Sequence, residues 1–485
     1  MSILKNLKPA EVWNYFEQIC QIPRPSKKEE KVIEFLVKFA KELNLECKVD
    51  KVGNVLIKKS ATKGNENMKT VLLQSHMDMV CEKNNETIFD FEKDAIRPII
   101  DGEWVKADGT TLGADDGIGI AAQLAILASK TISHGAIECL FTIDEETGLT
   151  GAFALEDGFL NSDILLNLDS EDEGEIFIGC AGGVDSVATF GYESEPIPEE
   201  HIAYKLTVKG LTGGHSGDDI HKGLGNSNKI LNRFIWQKSE KMDIRISIFD
   251  GGNLRNAIPR EAYAVVTIHQ NKKQDFVKAF HKYEETIKFE FAVTEPNLQF
   301  EIEKVQLPSS VIDETTQNNL INALYACPHG VYAWSFTMPG LVETSTNLAS
   351  VKFVNDKILV TTSQRSSVNS AKIDIANTVK SVFNLAGAEV KQGDGYPGWA
   401  PNPNSEILTI AFDSYKKIFG NEPKVRAIHA GLECGLFLEK YPHLDMISFG
   451  PTIKGAHSPN ERVNIKTVEM WWEHLIDVLK KIPNK

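Results

Sequence analysis

The sequence predicts an α/β fold in which a discontinuous domain, built on a central mixed sheet, carries an inserted α+β domain. Two observations lead there. Amphipathic helical patterns alternate with short apolar runs near the N-terminus, give way to alternating strands in the middle, and return near the end. With 485 residues the chain also exceeds what one hydrophobic core ordinarily serves, so two domains are expected.

The first segment opens with the helical patterns EVWNYFEQI and KVIEFLVKFAKEL, followed by the apolar runs NVLIKK, TVLLQSH, IECLFTI and DILLNLD. Their polar residues sit at the C-terminal ends, where open α/β sheets collect ligands beyond the strand edge. From residue 187 to residue 398, strands such as AYKLTVKG, DIRISIFDGG and EAYAVVTIH surround the helical SNKILNRFIWQ, which reads as the inserted domain. Within it GGNLRNAIPREAYAVVTI and TSTNLASVKFVNDKILVTT share a loose layout, too weak to define a repeat. After the turn-rich GDGYPGWAPNPNS, the α/β texture resumes in ILTIAFDSYKKIF, KVRAIHA, DMISFG and the closing TVEMWWEHLIDVLKKI. The first domain therefore spans residues 1–186 and 399–485.

Composition narrows the function classes. Hydrophobic residues make up 42% and charged residues 25%, ordinary values for a folded protein. A net charge of -15 disfavours nucleic acid as a partner, because phosphate binding needs clustered Lys and Arg. The N-terminal stretch lacks an apolar leader and no run of about 18 apolar residues follows, so the expectation is a cytoplasmic protein with no membrane partner. Seven Cys without CxxC spacing suggest reduced thiols, leaving His and carboxylates as the available metal ligands.

Those residue types recur at the strand ends. In QSHMDM, His76 and Asp78 are two apart and project to one side of an extended chain, as a metal-binding imidazole and its orienting carboxylate would; alone, the pair reads equally as a surface His beside a solvated Asp. In TLGADDGIGIAAQLAIL an acidic pair precedes an apolar helix, and Asp115 suits a metal bridge while Asp116 caps the helix. FTIDEETG places Glu145 and Glu146 after a buried run, where adjacent carboxylates repel unless cations neutralise them. One Glu can then bind metal while its neighbour accepts a proton; a solvated acidic turn is the plain alternative. Asp169 ends another apolar run, followed by an acidic stretch expected to be mostly solvated, and His457 lies in a Gly/Pro-rich loop before the last helix. The conjunction of two His with several carboxylates, all at strand ends or loops of one texture, points to a two-metal hydrolytic centre for amides or esters.

At these residues the sequence resembles the M20 family of metallopeptidases, whose HxD, Asp, Glu-Glu, Asp and late His motifs occur here in that order across nearly the whole chain. SHMDMVCEK, GADDGIG and GLECG are similar to its aminoacyl-histidine dipeptidase subgroup. The resemblance implies two Zn2+ per subunit, with Co2+ or Mn2+ as substitutes, held by His76, Asp115, Glu146, Asp169 and His457. It further implies that Asp115 bridges, that Glu145 is the general base, and that Asp78 orients His76. The inserted domain would be a lid that also mediates homodimerisation. From it His215 in TGGHSG would stabilise an oxyanion, within one subunit or across the dimer, and Asn256 and Arg365 would hold a substrate carboxylate. Turn and surface roles are the alternatives for these three.

Two departures concern the substrate pocket. Many family members carry Asp-x-Lys-Gly where this chain has Asp115-Asp116-Gly117-Ile118, and a Gly-Gly-Thr/Ser-Asp stretch where it has Gly431-Leu432-Glu433-Cys434-Gly435. Glu433 either meets a free substrate amino group or serves as a helix-start carboxylate. The implied function is hydrolysis of small peptides, Xaa-His dipeptides such as β-alanyl-histidine foremost. A broader dipeptidase, a tripeptidase or an N-acyl amino acid deacylase is the neighbouring alternative, and a non-catalytic peptide-binding protein the distant one.

Overall fold

In the computed structural model, which describes residues 3–485, the apolar runs of the first segment become adjacent strands of one sheet. Val71–His76 lies between Ile137–Thr142 and Ile164–Asn167, and Asp445–Ser448 follows on the far side of the latter. These four strands pair in parallel, with His76 opposite Thr142 and Gln74 opposite Asn167. Parallel pairing sets all their C-terminal ends on one edge, so the segments that follow them emerge side by side. Glu46–Val49, Val55–Lys59, Glu175–Cys180 and Lys424–Ile428 complete an eight-stranded mixed sheet, the first three through antiparallel pairing.

The chain divides into two compact units. The first comprises Met1–Gly179, Pro401–Ala427 and Leu432–Lys485, and the second Cys180–Ala400 with Ile428–Gly431. Apart from the strand-end residues Cys180 and Ile428, the eight-stranded sheet belongs to the first unit, as does a smaller antiparallel sheet that joins Ile453–Lys454, Arg462–Asn464, Trp104–Ala107 and Pro98–Asp101. The four strands of the parallel core are buried along their whole length except at Asp445, as expected for strands covered on both faces. The helix Ala114–Ala128 is apolar almost all round and buried to match.

The second unit is a nine-stranded antiparallel sheet with helices packed on it, including Ser227–Met242, Lys273–Glu290 and Glu314–Ala326. The Asn226 side chain accepts the Lys229 N–H at 3.1 Å, satisfying one of the helix's orphan donors. Phe234, Phe276, Phe280 and Tyr283 fill its core, Phe234 meeting Phe280 edge-on at 5.0 Å between ring centroids. Among the described residues no helix is long and apolar enough to cross a membrane.

Candidate metal centre

Each motif at the parallel edge delivers its side chains by a different local device. His76 is the last residue of its strand and is buried. Asp78, two residues on, is fully buried and does more than face that imidazole. Its Oδ1 lies 3.4 Å and its backbone O 3.2 Å from His76 Nδ1, while its carboxylate also accepts the N–H groups of Glu145 at 3.0 Å and Glu146 at 3.2 Å and the Ser26 hydroxyl at 2.7 Å. One carboxylate thus orients a histidine and holds the start of the acidic turn. Asp144 reverses the chain in the left-handed region with φ 49 and gathers the Thr147 and Thr150 hydroxyls, so the turn is held from both ends.

Asp115 follows Gly113, which takes φ +68; a Cβ there would fall 2.5 Å from the Arg24 guanidinium, so only glycine fits. The Asp115–Asp116 peptide bond is cis, and both residues depart from helical angles at the head of Ala114–Ala128. Asp116 turns inward, where its Oδ1 accepts the Gly119 N–H at 3.1 Å. Asp115 faces two imidazoles: Oδ1 is 3.0 Å from His76 Nε2, and Oδ2 is 3.1 Å from His457 Nε2. Each histidine has a second carboxylate as well, Asp169 Oδ1 at 3.5 Å from His76 and Glu146 Oε2 at 3.0 Å from His457. Two His-plus-carboxylate triads therefore share Asp115.

This donor set fits divalent cations. Ligand atoms of His76, Asp115 and Glu146 all lie within 4.8 Å of one another, and Glu146 Oε1 is buried with no hydrogen-bonding partner among the described residues. Nitrogen and oxygen donors at this density suit zinc and its first-row neighbours. The electrostatics also call for positive charge. Burial disfavours an imidazolium at His76, yet Asp169, Asp115 and Asp78 hold its pKa well above the ordinary value. Hydrogen bonds to Asp115 and Glu146 push His457 up to about 11. Burial raises Asp169 to about 7, helped by Asp115, and raises Glu145 well above its usual range, helped by Asp169, Glu433 and Glu146. Glu145, part-buried and beside Glu146, has its backbone tied to Asp78.

His215, Asn256 and Arg365 belong to the second unit, where Ser216 links them: its N–H donates to Asn256 O at 2.8 Å, and its hydroxyl accepts from Arg365 Nε at 3.4 Å. His215 Nδ1 accepts backbone N–H groups of Gly217 and Asp218, leaving Nε2 as the protonated nitrogen. Burial and the nearby Arg365 charge lower its pKa, favouring that neutral form. Glu433 stands at the start of the helix Cys434–Lys440 but does not cap it with its side chain. Its Oε2 instead accepts from Gln74 at 2.6 Å and Thr142 at 2.8 Å, and the residue is 1% exposed.

Several residues at or near these sites escape a motif reading. Glu461 and Arg24 are buried and bracket the Asp115 segment through backbone contacts. Glu171 belongs to the stretch expected to be solvated, yet burial, with Asp115 and Asp169 nearby, raises its carboxyl to about 8. In the second unit Arg365 donates to Tyr396 Oη at 2.9 Å, and His429 Nε2 is 2.7 Å from Ser345 Oγ. Glu171 follows Asp169 by two residues, the one local signal available; the others act through contacts that no sequence spacing encodes.

A model of peptidase family M20/M25/M40 matches residues 72–482. The chain belongs to that family. This M20 chain is 45% identical over its full length, and the full length of the relative, to the cytosol non-specific dipeptidase of Escherichia coli. Its fold superposes on the crystal structure of aminoacylhistidine dipeptidase from Vibrio alginolyticus with a TM-score of 0.94 at 48% identity, covering 99% of this chain and 98% of the other. A tripeptidase from Staphylococcus aureus, 18% identical with a TM-score of 0.57 over 98% of this chain and 99% of that one, shares the fold.

Proposed function

We propose that this M20 protein is a two-metal dipeptidase, with zinc as the metal and unblocked Xaa-His dipeptides among its substrates. The observation that carries the reading is the Asp115 carboxylate, whose two oxygens face two different histidines, each with a further carboxylate of its own. His76, Asp115 and Asp169 would hold one cation, and His457, Asp115 and Glu146 the other. Bound there, such cations lower the pKa of a water and polarise a carbonyl oxygen.

The chain's own residues supply the remaining steps. Glu145 takes the proton from the attacking water and later delivers it to the departing amine, a task suited to a carboxyl whose affinity for protons its surroundings have raised. Asp78 keeps His76 and the Glu145–Glu146 turn in one arrangement. His215, neutral and protonated on Nε2, donates to the oxyanion that develops on the scissile carbonyl. Arg365, assisted by Asn256, grips the substrate's carboxylate. Glu433 takes the free amino group, a role supported by a buried Oε1 without a hydrogen-bonding partner among the described residues. The domain division read from sequence, with residues 187–398 as a lid, a homodimer formed through it and cytoplasmic residence belong to the same reading; the E. coli relative's name supports the last.

The Vibrio relative's name supports Xaa-His specificity, whereas the E. coli relative's name favours a broader range. A hydrolysis screen of the zinc-reconstituted protein over Xaa-His dipeptides, other dipeptides, tripeptides and N-acetyl amino acids tests both. Chelator-sensitive cleavage of Xaa-His dipeptides is the expected result; rapid deacylation with no dipeptide cleavage overturns the assignment. Replacing His215 by Ala should lower kcat while leaving metal content intact, and an unchanged kcat would remove it from the reaction.

A further inference from the structure

We infer that Glu461 is the positioning residue that sets Asp115 against His457, and so governs the spacing of the two cation sites. The inference rests on the metal-centre reading. Glu461 is 2% exposed, and its carboxylate has no cationic side chain within ion-pair range among the described residues. Instead Oε2 accepts the N–H groups of Leu112 at 2.8 Å and Gly113 at 3.0 Å, and Oε1 those of Ala114 at 2.7 Å and Asp115 at 3.4 Å. Four successive backbone donors thus converge on one side chain.

The chemistry of that arrangement requires a carboxylate. Donors at a helix start lack intrahelical partners, and the helix dipole favours negative charge beside them. An ionised carboxylate offers about four acceptor positions and no donor. A glutamine of the same shape would turn an NH2 group toward two N–H donors, and an aspartate would withdraw the acceptor by one methylene.

The same residue also controls the other partner. Its own N–H donates to Ser458 O at 3.0 Å, closing a turn over residues 458–461 that directly follows His457, and it directly precedes the strand Arg462–Asn464. His457 itself sits at φ 61, a left-handed conformation that costs a non-glycine residue energy and persists only where its surroundings impose it. Arg24, 3% exposed, donates to the carbonyls of Met77 at 3.0 Å, Asp78 at 2.7 Å and Gly113. Glu461 therefore joins the Asp115 segment to the His457 loop, while Arg24 joins it to the His76–Asp78 loop. Glu461 touches no ligand atom, so its effect passes through backbone position.

The test uses metal-free full-length protein titrated with Co2+, followed by its visible absorption, for the parent, Glu461→Gln and Glu461→Asp. Both variants are expected to bind at least one Co2+ about tenfold or more weakly, the scale seen for residues that support ligands, with an altered band shape. Their melting temperature should rise less on Co2+ loading than the parent's, a difference that a purely structural defect, equal in both forms, would not produce. Parent affinity and band shape in both variants overturn the inference, even if both melt earlier. Should Glu461→Gln fail to fold, Glu461→Asp decides alone. Failure of the parent to bind any Co2+ overturns the metal-centre reading itself, a separate result.

Discussion

Asp115 and His457 lie 342 residues apart in the chain, yet Asp115 Oδ2 and His457 Nε2 approach to 3.1 Å. His457 arrives from the loop between Ile453–Lys454 and Arg462–Asn464, and Asp115 from the head of a buried helix. The other oxygen of the same carboxylate lies 3.0 Å from His76. On the proposed reading, a shared carboxylate makes the two cation sites interdependent.

That sharing predicts a joint loss. Asp115→Asn should reduce bound metal below that of a variant that loses only one outer ligand, such as Asp169→Asn, and should abolish measurable peptide hydrolysis. Elemental analysis of both purified variants checks it. Two metals per chain in Asp115→Asn would show that the carboxylate bridges nothing.

Glu145 occupies the turn held by Asp78 but pairs with neither histidine, so its replacement should separate chemistry from metal binding. We expect Glu145→Ala to keep the parent's metal content and to lose about 10²- to 10⁴-fold in kcat, the usual worth of a general base. Near-parental turnover would exclude it from proton transfer.

On the proposed reading Asp78 supports both a metal ligand and the general base, and its replacement should therefore act on two observables. Asp78→Asn keeps the shape but weakens acceptance of the Glu145 and Glu146 N–H groups. Metal affinity should fall about 10- to 100-fold, and kcat should remain depressed even at saturating metal. Full recovery of kcat on adding metal would confine Asp78 to orienting His76.

A buried histidine away from the centre should make the first unit sensitive to acid. His474 is 3% exposed, and its Nε2 donates to Ala411 O at 2.8 Å between the helices Ile465–Lys480 and Glu406–Phe419. Burial lowers its pKa from 6.5 to about 4. The folded form therefore resists a proton that the unfolded chain accepts. Stability is complete above pH 6.5 and falls as the pH drops toward 4, by roughly 2 kcal/mol between pH 7.5 and pH 5. His474→Gln cannot take up that proton, so urea denaturation should show a smaller loss over the same range; equal losses would refute the assignment.

Much of this architecture is legible in the residues themselves. TVLLQSH, IECLFTI and DILLNLD read as buried strands, and all three pair in parallel as Val71–His76, Ile137–Thr142 and Ile164–Asn167. Because side chains at parallel strand ends share one edge, the His, Asp and Glu candidates that follow them group together on sequence grounds alone. The acidic stretch after Asp169 is harder to read, because burial of Glu171 depends on packing rather than on local polarity.

Local pattern determined the elements, their class and the residue types able to hold a metal, since hydrophobic period and strand-end polarity are properties of neighbouring residues. Only the tertiary structure decided that Asp115 faces two histidines at once, that Asp78 ties His76 to the Glu145 turn, and that Glu433 points into the sheet toward Gln74 and Thr142. It also revealed Glu461 and Arg24, whose partners are backbone groups as far as 349 and 89 residues away. Backbone N–H and C=O groups are the same at every position, so no side-chain pattern marks which of them a distant charge will meet; the path of the chain alone selects them.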